Sequence, residues 1–396
     1  AYDRLFNLKW TPPGRGLWMM GTKFVEERTG AALFNCAFRS TQDISTKGGY
    51  IFSWIMDALM VGVGVGFDTK GAGTITFEEP EYTGDVLVIE DSREGWVNSV
   101  QTLLNGFFFG HKVPKFDYSG IRPLGALISG FGGTSSGPGP LIELHKNLTE
   151  LFSDKIGEPI TSVDIVDIEN LIGRCVVSGN VRRSAALALG EADDFRYLEM
   201  KNDQEKLYHH RWGSNNSFNA EVGMDYTWHA EQSQKNGEPG YIWLENARAF
   251  GRMKDGVNYD DAEVVGFNPC VEQSLHNAEM CCLVETFPAK HEDYDDYVKT
   301  LKCAYLYGKT VTLVNTHWPE TNAKMLKNRR IGLSQSGIVQ AFNKHGRRTM
   351  LGWCDDAYSY VKELDTEYSN WLCVPKSIKM TSIKPSGTVS LLNGST

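Results

Sequence analysis

The sequence lacks the features of several large protein classes. Its longest apolar stretch, residues 51–67, is interrupted by Asp57 and rich in glycine, so we expect no membrane span. Lysine and arginine number 40 against 49 aspartates and glutamates, a net charge of −9 that gives no basic footprint for nucleic acid. There is no Cys-x-x-Cys, and Gly308-Lys309-Thr310 lacks the glycine five residues earlier that a P-loop requires.

The composition is that of a globular protein with a large core. The chain has 396 residues, of which 41% are hydrophobic, and neither an internal repeat nor a long linker divides it, so we predict one domain over residues 1–396. The N-terminus lacks a signal-peptide pattern, which makes the cytoplasm the expected location. Eight cysteines without dense regular spacing favour reduced or catalytically cycling thiols over a disulfide scaffold.

The hydrophobic pattern predicts helices that alternate with short strands, which indicates an α/β fold. Apolar spacing predicts helices over 52–63, 163–177 after a Ser162 cap, 297–314 and 358–364. Short strand-like runs occupy 85–89, 241–244, 311–314 and 377–383. The glycines between 62 and 66 follow a helical pattern, so we interpret them as tight backbone packing and not as a dinucleotide fingerprint.

The most informative feature is a set of cysteines. Cys270 has an amide two residues before it, Asn268, and a carboxylate two residues after it, Glu272. Alternation along an extended segment would put these three side chains on one face. Cys281 and Cys282 follow eleven and twelve residues later, and Cys36 lies far upstream. A sulfur, a neutral hydrogen-bonding group and a base on one segment suit radical chemistry on a sugar.

Seven segments in the same order resemble the adenosylcobalamin-dependent (class II) ribonucleoside-triphosphate reductases of the monomeric kind. These segments are 28–36, Gly132-Gly133-Thr134-Ser135-Ser136-Gly137-Pro138, Gly179-Asn180-Val181-Arg182-Arg183-Ser184, His209-His210-Arg211-Trp212, Asn236-Gly237-Glu238-Pro239-Gly240, Asn328-Arg329-Arg330-Ile331-Gly332 and Lys384-Pro385-Ser386-Gly387-Thr388-Val389.

The resemblance implies a specific α/β architecture. The family builds a ten-stranded α/β barrel from two half-barrels, with the reactive cysteine on a finger loop through the centre, here about residues 266–285. Nucleotide effector and specificity loops would lie within about 120–220. Because the family continues beyond the Pro-Ser-Gly-Thr turn, we expect this chain to be a core that lacks both ends, including the C-terminal part of the barrel.

The resemblance also implies a role for each reactive residue in the reduction of ribonucleoside triphosphates to 2′-deoxyribonucleoside triphosphates. Cys270 would be the thiyl radical that removes the 3′ hydrogen. Glu272 would take the 3′-hydroxyl proton, and Asn268 would hydrogen-bond the same sugar. Cys36 and Cys281 would supply two electrons by closing to a disulfide, which thioredoxin re-reduces.

Cys282 stands where the family usually has asparagine, and position favours its neighbour Cys281 as the redox thiol. A zinc site made from Cys270, His276, Cys281 and Cys282 is a competing interpretation. Adjacent cysteines supply two tetrahedral ligands poorly, however, so we expect no bound metal.

Nucleotide contacts follow from the same resemblance. The substrate would be held by Asn35 and by the turn formed by Pro385, Ser386, Gly387, Thr388 and Val389, whose hydroxyls and backbone N–H groups suit phosphates. Arg182 and Arg183 would couple a deoxyribonucleotide effector to the choice of substrate base.

The radical source distinguishes the related families. The Asn-Pro-Cys spelling and the short step to Cys281 favour adenosylcobalamin, whose cobalt–carbon bond would yield the initiating radical, and likeness to monomeric relatives implies a monomer. Alternatives remain open at this point. The chemistry could belong to the large subunit of an oxygen-dependent ribonucleotide reductase or to a glycyl-radical enzyme, and a third alternative is a nucleotide-binding relative that performs no chemistry.

Overall fold

The structure, a computed structural model, describes residues 1–128, 132–178, 185–385, 389–392 and 394. It contains two compact units. The first comprises Ala1–Ala37, Arg248–Glu263 and Cys270–Thr396, and the second comprises Phe38–Ala247 and Val264–Pro269. In the described part of the chain, no helix is both long enough and apolar enough to cross a bilayer.

Helices occur in both units. In chain order they are α1 Tyr2–Phe6, α2 Gly14–Met19, α3 Lys23–Glu27, α4 Ile44–Lys47, α5 Tyr50–Met60, α6 Arg93–Phe109, α7 Gly139–Ser153, α8 Ser162–Val177, α9 Phe195–Glu199, α10 Gln204–His209, α11 Thr227–Asn236, α12 Leu244–Ala249, α13 Tyr294–Val311, α14 Pro319–Asn328, α15 Ile338–His345, α16 Arg347–Trp371 and α17 Val389–Leu392.

The strands alternate with these helices, which confirms the predicted α/β class. In chain order they are β1 Trp10–Thr11, β2 Cys36–Arg39, β3 Gly64–Asp68, β4 Glu81–Val88, β5 Lys112–Asp117, β6 Ala186–Glu191, β7 Ser214–Asn219, β8 Gly240–Ile242, β9 Gly266–Phe267, β10 Ser274–Leu275, β11 Glu279–Thr286 and β12 Ile331–Gln335. The ten-stranded barrel with a central finger loop stays a prediction, as do the single domain over 1–396, the effector loops within 120–220 and the loop bounds 266–285.

The first unit is organised around β11, a strand buried along its whole length. It pairs antiparallel with β1, with Trp10 opposite Thr286, and parallel with β12, with Cys282 opposite Ile331. Helix α13 packs against β11 and also against α16. This helix covers one face of β11.

The second unit contains a parallel sheet in the order β3, β6, β7, β8. Its register pairs Val65 with Ala186, Ala186 with Ser214, and Ser217 with Gly240. Strand β6 is buried except at its last residue, as expected for a parallel strand covered on both faces. Strands β4 and β5 form a separate parallel pair connected by α6.

The glycines that precede and form β3 allow close backbone packing, which confirms the interpretation drawn from the sequence. A Cβ atom at Gly66 would lie 1.8 Å from the carbonyl oxygen of Phe267, so only glycine fits there.

Helix α8 confirms the helix predicted over 163–177, but the predicted cap is wrong. Thr161, not Ser162, is the N-cap: its hydroxyl accepts a hydrogen bond from the Asp164 backbone N–H at 3.2 Å. The Asp164 carboxylate in turn accepts from the Thr161 N–H at 2.9 Å, which completes a capping box. The second interaction favours Thr161 over its neighbour.

The other predicted helices exist with different ends. Those at 52–63 and 297–314 are Tyr50–Met60 and Tyr294–Val311, and the one at 358–364 is the middle of the much longer Arg347–Trp371. Local apolar spacing locates a helix, whereas its ends depend on capping and tertiary contacts.

Two of the four predicted strands are wrong. Those at 85–89 and 241–244 are β4 and β8 with shifted ends. Residue 311 is the end of α13 and not the start of a strand, because helix packing overrides the strand propensity of valine. Residues 377–383 make only an isolated parallel bridge to β12, between Leu333 and Thr381.

Candidate active site

The thiols of Cys36 and Cys281 lie together in the first unit. Their side chains share a hydrogen bond, and both are buried free thiols. Two bonds from Asn35 set the register: its N–H donates to the Cys281 carbonyl at 3.0 Å, and its side-chain oxygen accepts from the Leu283 N–H at 3.0 Å. These hydrogen bonds between Asn35 and β11 therefore hold Cys36 against Cys281 while both thiols are free.

This pairing strongly affects the ionisation of Cys281. Its hydrogen bond with Cys36 and its burial raise the pKa of the Cys281 thiol well above the usual range, and the charges of Cys36 and Glu272 act in the same direction. Cys281 is therefore held as a neutral thiol beside Cys36.

Cys282 points away from this pair. Its sulfur donates to the carbonyl oxygens of Gly308, at 3.4 Å, and Arg330, at 3.7 Å, and burial raises its pKa to about 12. Successive side chains of a strand point to opposite faces, so Cys281 and Cys282 cannot both reach Cys36. Of the two adjacent cysteines, Cys281 is the one that contacts Cys36, and its redox role stays a prediction.

Cys270 lies on a turn, and the extended segment predicted around it is wrong. Val271 has φ of +64°, a left-handed conformation that interrupts the alternation expected for residues 268, 270 and 272. Cys270 itself is exposed. A lysine, not strand geometry, brings its sulfur and Glu272 together: Lys384 Nζ lies 3.7 Å from Cys270 Sγ and 3.0 Å from Glu272 Oε1.

The Glu272 carboxylate has one occupied oxygen and one open oxygen. Its side chain is only 1% exposed, and Oε1 accepts from Lys384. The other oxygen, Oε2, is buried without a hydrogen-bond partner among the residues that the structure describes. A buried acceptor of this kind costs free energy unless a ligand satisfies it, so Oε2 is a candidate contact for a substrate hydroxyl.

The charges of this cluster interact with one another. Partial desolvation raises the pKa of the Cys270 thiol, with Glu272 and Cys36 acting in the same direction, while the Lys384 ammonium opposes the rise. Burial alone would lower the pKa of Lys384, but the negative charges of Glu272, Cys36 and Cys270 outweigh burial and raise it. Cys36, Cys270 and Glu272 thus interact electrostatically with Lys384, and Cys36 and Glu272 also interact with Cys281.

A buried ion-pair network anchors the chain on both sides of Cys270. Arg330 contacts Asp261 at 2.7 and 2.9 Å and Glu279 at 3.0 and 3.1 Å. Asp261 also lies 2.8 Å from His276, which is therefore engaged in this network and not with the cysteines in a zinc site. Because Asp261 precedes Cys270 and Glu279 follows it, Arg330 fixes the ends of the intervening loop.

Several predicted site residues are described apart from this cluster or lie outside the described residues. Asn268 is buried in the second unit. Pro385 is exposed next to Lys384, and Val389 begins α17. Arg182, Arg183, Ser386, Gly387 and Thr388 lie outside the residues that the structure describes.

Sequence reasoning missed Lys384 as a site residue. A signal was available, since Lys384 is the only charged side chain between residues 381 and 396. Arg15 was also missed: it donates to the Ala32 carbonyl at 2.9 Å and interacts electrostatically with Cys36. Burial lowers the pKa of Arg15 to about 10, so it remains a cation beside the dithiol at neutral pH.

The second unit has a polar cavity of its own. Arg122 forms an ion pair with Asp91 at 2.7 Å, and Arg93 forms one with Asp57, close to hydroxyl side chains such as Ser135. The cavity is lined by Met60, Asp91, Ser92, Arg93, Trp96, Arg122, Ile128, Thr134, Ser135, Ser136, Cys175 and Val176. Cations and hydroxyls in this arrangement can hold an anionic ligand.

Comparisons with known proteins give a consistent result. Residues 73–152 match the family described as "B12-dependent ribonucleotide reductase, insertion domain". The whole chain is 48% identical to a probable adenosylcobalamin-dependent ribonucleoside-triphosphate reductase of Dictyostelium discoideum and 48% identical to an adenosylcobalamin-dependent ribonucleoside-triphosphate reductase of Euglena gracilis. It covers 55% of each, so the chain spans about half the length of these curated relatives.

A solved structure is similar over the entire chain. The crystal structure of a B12-dependent (class II) ribonucleotide reductase superimposes with a TM-score of 0.90 at 32% sequence identity. The match covers 100% of this chain and 66% of that one.

Proposed function

Because this chain belongs to the adenosylcobalamin-dependent (class II) ribonucleotide reductases, we propose that the protein reduces ribonucleoside triphosphates to 2′-deoxyribonucleoside triphosphates by thiyl-radical chemistry. The observation that carries the proposal is the hydrogen-bonded pair of Cys36 and Cys281 in one electrostatic cluster with Cys270 and Glu272. A reductive dithiol, a separate accessible thiol and a carboxylate are the groups that this reaction needs.

Each group has a distinct part in the proposed reaction. Cys270, as a thiyl radical, takes the 3′ hydrogen, and Glu272 accepts the 3′-hydroxyl proton through its open oxygen. The 2′-hydroxyl leaves as water. Cys36 and Cys281 close to a disulfide and supply two electrons and two hydrogens: one hydrogen leaves in the water and the other is added at the 2′ carbon. Glu272 returns its proton to the 3′ oxygen, and Cys270 returns its hydrogen to the 3′ carbon. Asn268 is proposed to hydrogen-bond the sugar.

Adenosylcobalamin, when bound, supplies the radical by which the cysteine is activated. The exposure of the Cys270 thiol is compatible with such a group. Cys270 is the exposed thiol of the three, whereas Cys36 and Cys281 are buried, so Cys270 is the sulfur that an external radical generator can reach. The turn at Cys270 presents that sulfur outward while Lys384 holds it beside Glu272.

We also propose the nucleotide contacts and partners that the resemblance implies. The turn from Pro385 to Val389, with Asn35, would hold the substrate, and Arg182 and Arg183 would respond to a deoxyribonucleotide effector. The polar cavity around Arg122, in the second unit, supports a second anionic ligand. Thioredoxin as reductant, a monomeric state and a cytoplasmic location complete the proposal.

The test is deoxynucleotide formation from cytidine triphosphate by the full protein, supplied with adenosylcobalamin and thioredoxin. We expect Cys270→Ser to make no product and Cys36→Ser to stop after one abortive reaction. Cys282→Ala is the matched control, because it removes a thiol one residue from the redox pair that points elsewhere, and it should keep turnover.

Three outcomes would contradict the proposal. Product from Cys270→Ser would exclude that residue as the radical. Product without adenosylcobalamin would favour the oxygen-dependent alternative. Tight nucleotide binding by a folded wild-type protein that makes no product would favour the non-catalytic relative.

A further inference from the structure

Lys384 makes its side-chain contacts with two groups of the proposed reaction. Its ammonium lies 3.0 Å from Glu272 Oε1 and 3.7 Å from Cys270 Sγ. The lysine side chain is 26% exposed, whereas that of Glu272 is 1% exposed, so the cation reaches the buried carboxylate from the accessible side. The sulfur and the base are therefore held together through one charged atom.

The backbone of Lys384 is fixed by β12. The Lys384 N–H donates to the Ser334 hydroxyl at 2.9 Å, and two residues earlier the Ser382 N–H donates to the Leu333 carbonyl at 3.0 Å. Further back, the Leu333 N–H donates to the Met380 carbonyl at 2.8 Å. This irregular pairing replaces the strand predicted for residues 377–383. This pairing with β12 positions Lys384 beside Cys270, although the two residues are far apart in the sequence.

We propose that Lys384 is a positioning residue of the radical site, which holds one oxygen of Glu272, leaves the other for a substrate hydroxyl, and keeps the Cys270 sulfur beside the same carboxylate. This inference rests on the proposed function. Glu272 must accept the proton of the hydroxyl on the same carbon from which Cys270 removes a hydrogen, so its orientation and that of the sulfur must be set together.

The contact pattern explains why a lysine serves here. An ammonium is a compact charge with three donors, so one Nζ can face a carboxylate and a sulfur at the same time. Without it, neither oxygen of Glu272 would have a hydrogen-bond partner among the described residues, although the side chain is buried. Removing the cation also removes the charge that opposes the raised pKa of Cys270.

The first experiment needs no turnover. Alkylation of Cys270 by iodoacetamide is followed against pH by peptide mass spectrometry in wild type, Lys384→Met and Lys384→Arg, without nucleotide or cobalamin. We expect the pH midpoint to rise by about one unit in Lys384→Met, because a nearby cation favours the thiolate, and to stay near wild type in Lys384→Arg. Lys376→Met, an exposed lysine eight residues earlier, is the control and should not change the midpoint. An unchanged midpoint in Lys384→Met would overturn the proposal.

The second experiment separates kcat from KM in the full protein with adenosylcobalamin and thioredoxin. Misplacement of reacting groups predicts a kcat roughly 100-fold lower for Lys384→Met with little change in KM, and partial recovery in Lys384→Arg. A higher KM with normal kcat would instead make Lys384 a binding residue and overturn the proposal. Lys384→Gln serves as the second neutral variant if Lys384→Met does not fold.

The two proposals fail in different ways. A folded wild-type protein that makes no deoxynucleotide contradicts the proposed function, while the alkylation profile still reports on the lysine. An active wild type together with a fully active Lys384→Met contradicts only the inference about Lys384.

Discussion

Glu285→Gln should make the protein more stable, and the gain should depend on pH. Glu285 lies in β11, is 5% exposed, and accepts hydrogen bonds from the hydroxyls of Ser336 and, at 3.3 Å, Ser334. Burial raises its pKa from 4.5 to about 7, although both serines and Lys384 act in the opposite direction. The folded protein therefore keeps this carboxyl protonated at pH values where an unfolded chain has already lost the proton.

The magnitude follows from the two pKa values. Below pH 4.5 the carboxyl is protonated in both states, so its contribution to stability is fully present. Between pH 4.5 and about 7 the unfolded chain binds fewer protons than the folded one, so stability falls as the pH rises. At about 1.4 kcal/mol for each pH unit, the loss reaches about 3 kcal/mol and stays constant above pH 7. Glutamine has the same shape and no proton to lose.

The assay is urea unfolding of wild type and Glu285→Gln at pH 5, 6, 7 and 8. We expect the two free energies of unfolding to be similar at pH 5 and to differ by about 3 kcal/mol in favour of the variant at pH 8. Glu363→Gln, at an exposed position of α16, is the control and should follow the wild-type pH dependence. Parallel curves for wild type and Glu285→Gln would refute the reasoning, because they would mean that Glu285 ionises alike in both states.

Two further predictions concern the same unit. Arg330→Met should lower the free energy of unfolding by about 3 to 5 kcal/mol in urea titrations, because it leaves Asp261 and Glu279 as buried charges without their main partner. A loss of less than about 1 kcal/mol would mean that the network is not formed. Mild oxidation should remove two hydrogens from the wild type and from Cys282→Ala, as measured by intact mass and peptide mapping. In Cys281→Ala the Cys36 disulfide should be absent. A disulfide between Cys36 and Cys282 would contradict the geometry.

Local sequence pattern was sufficient where one periodic signal dominated. Helix α8 has buried residues along nearly its whole length, and its predicted bounds differ from Ser162–Val177 by one residue. The pattern was insufficient where packing against other elements determines the ends of a helix. Helix α16 has 25 residues and is more than three times as long as the helix predicted from its apolar centre, since α13 and α15 pack along it. Residue 311 ends a helix although the valines near it favour strands.

The candidate site likewise contains residues that could be predicted from the sequence and one that could not. The resemblance assigned Cys36, Cys270, Cys281 and Glu272, and the structure brings these four together. Lys384 stands out as the only charged side chain between residues 381 and 396, but that signal does not predict its contacts with Cys270 and Glu272. Its position depends on backbone pairing with β12, and that pairing is too irregular to leave a strand pattern in the sequence.

The side chains of β11 alternate between two faces that have different environments. Alternation assigns Met280, Cys282, Val284 and Thr286 to one face, where Cys282 bonds to Gly308 of α13 and Thr286 to Tyr297 of the same helix. The opposite face carries Glu279 in the Arg330 network, Cys281 in the dithiol, and Glu285 among its serines.

A buried face with two carboxyl groups and a thiol is less favourable for stability than an apolar one of the same shape. The helix-facing side shows that this chain can build ordinary packing on the same strand. The polar side is therefore best explained by the proposed chemistry. It places three groups on one rigid strand: the ion network that anchors the Cys270 loop, the thiol proposed as a reductant, and a carboxyl that holds its proton near neutral pH. A shift of a single residue would exchange Cys281 for Cys282 and remove all three from this face at once.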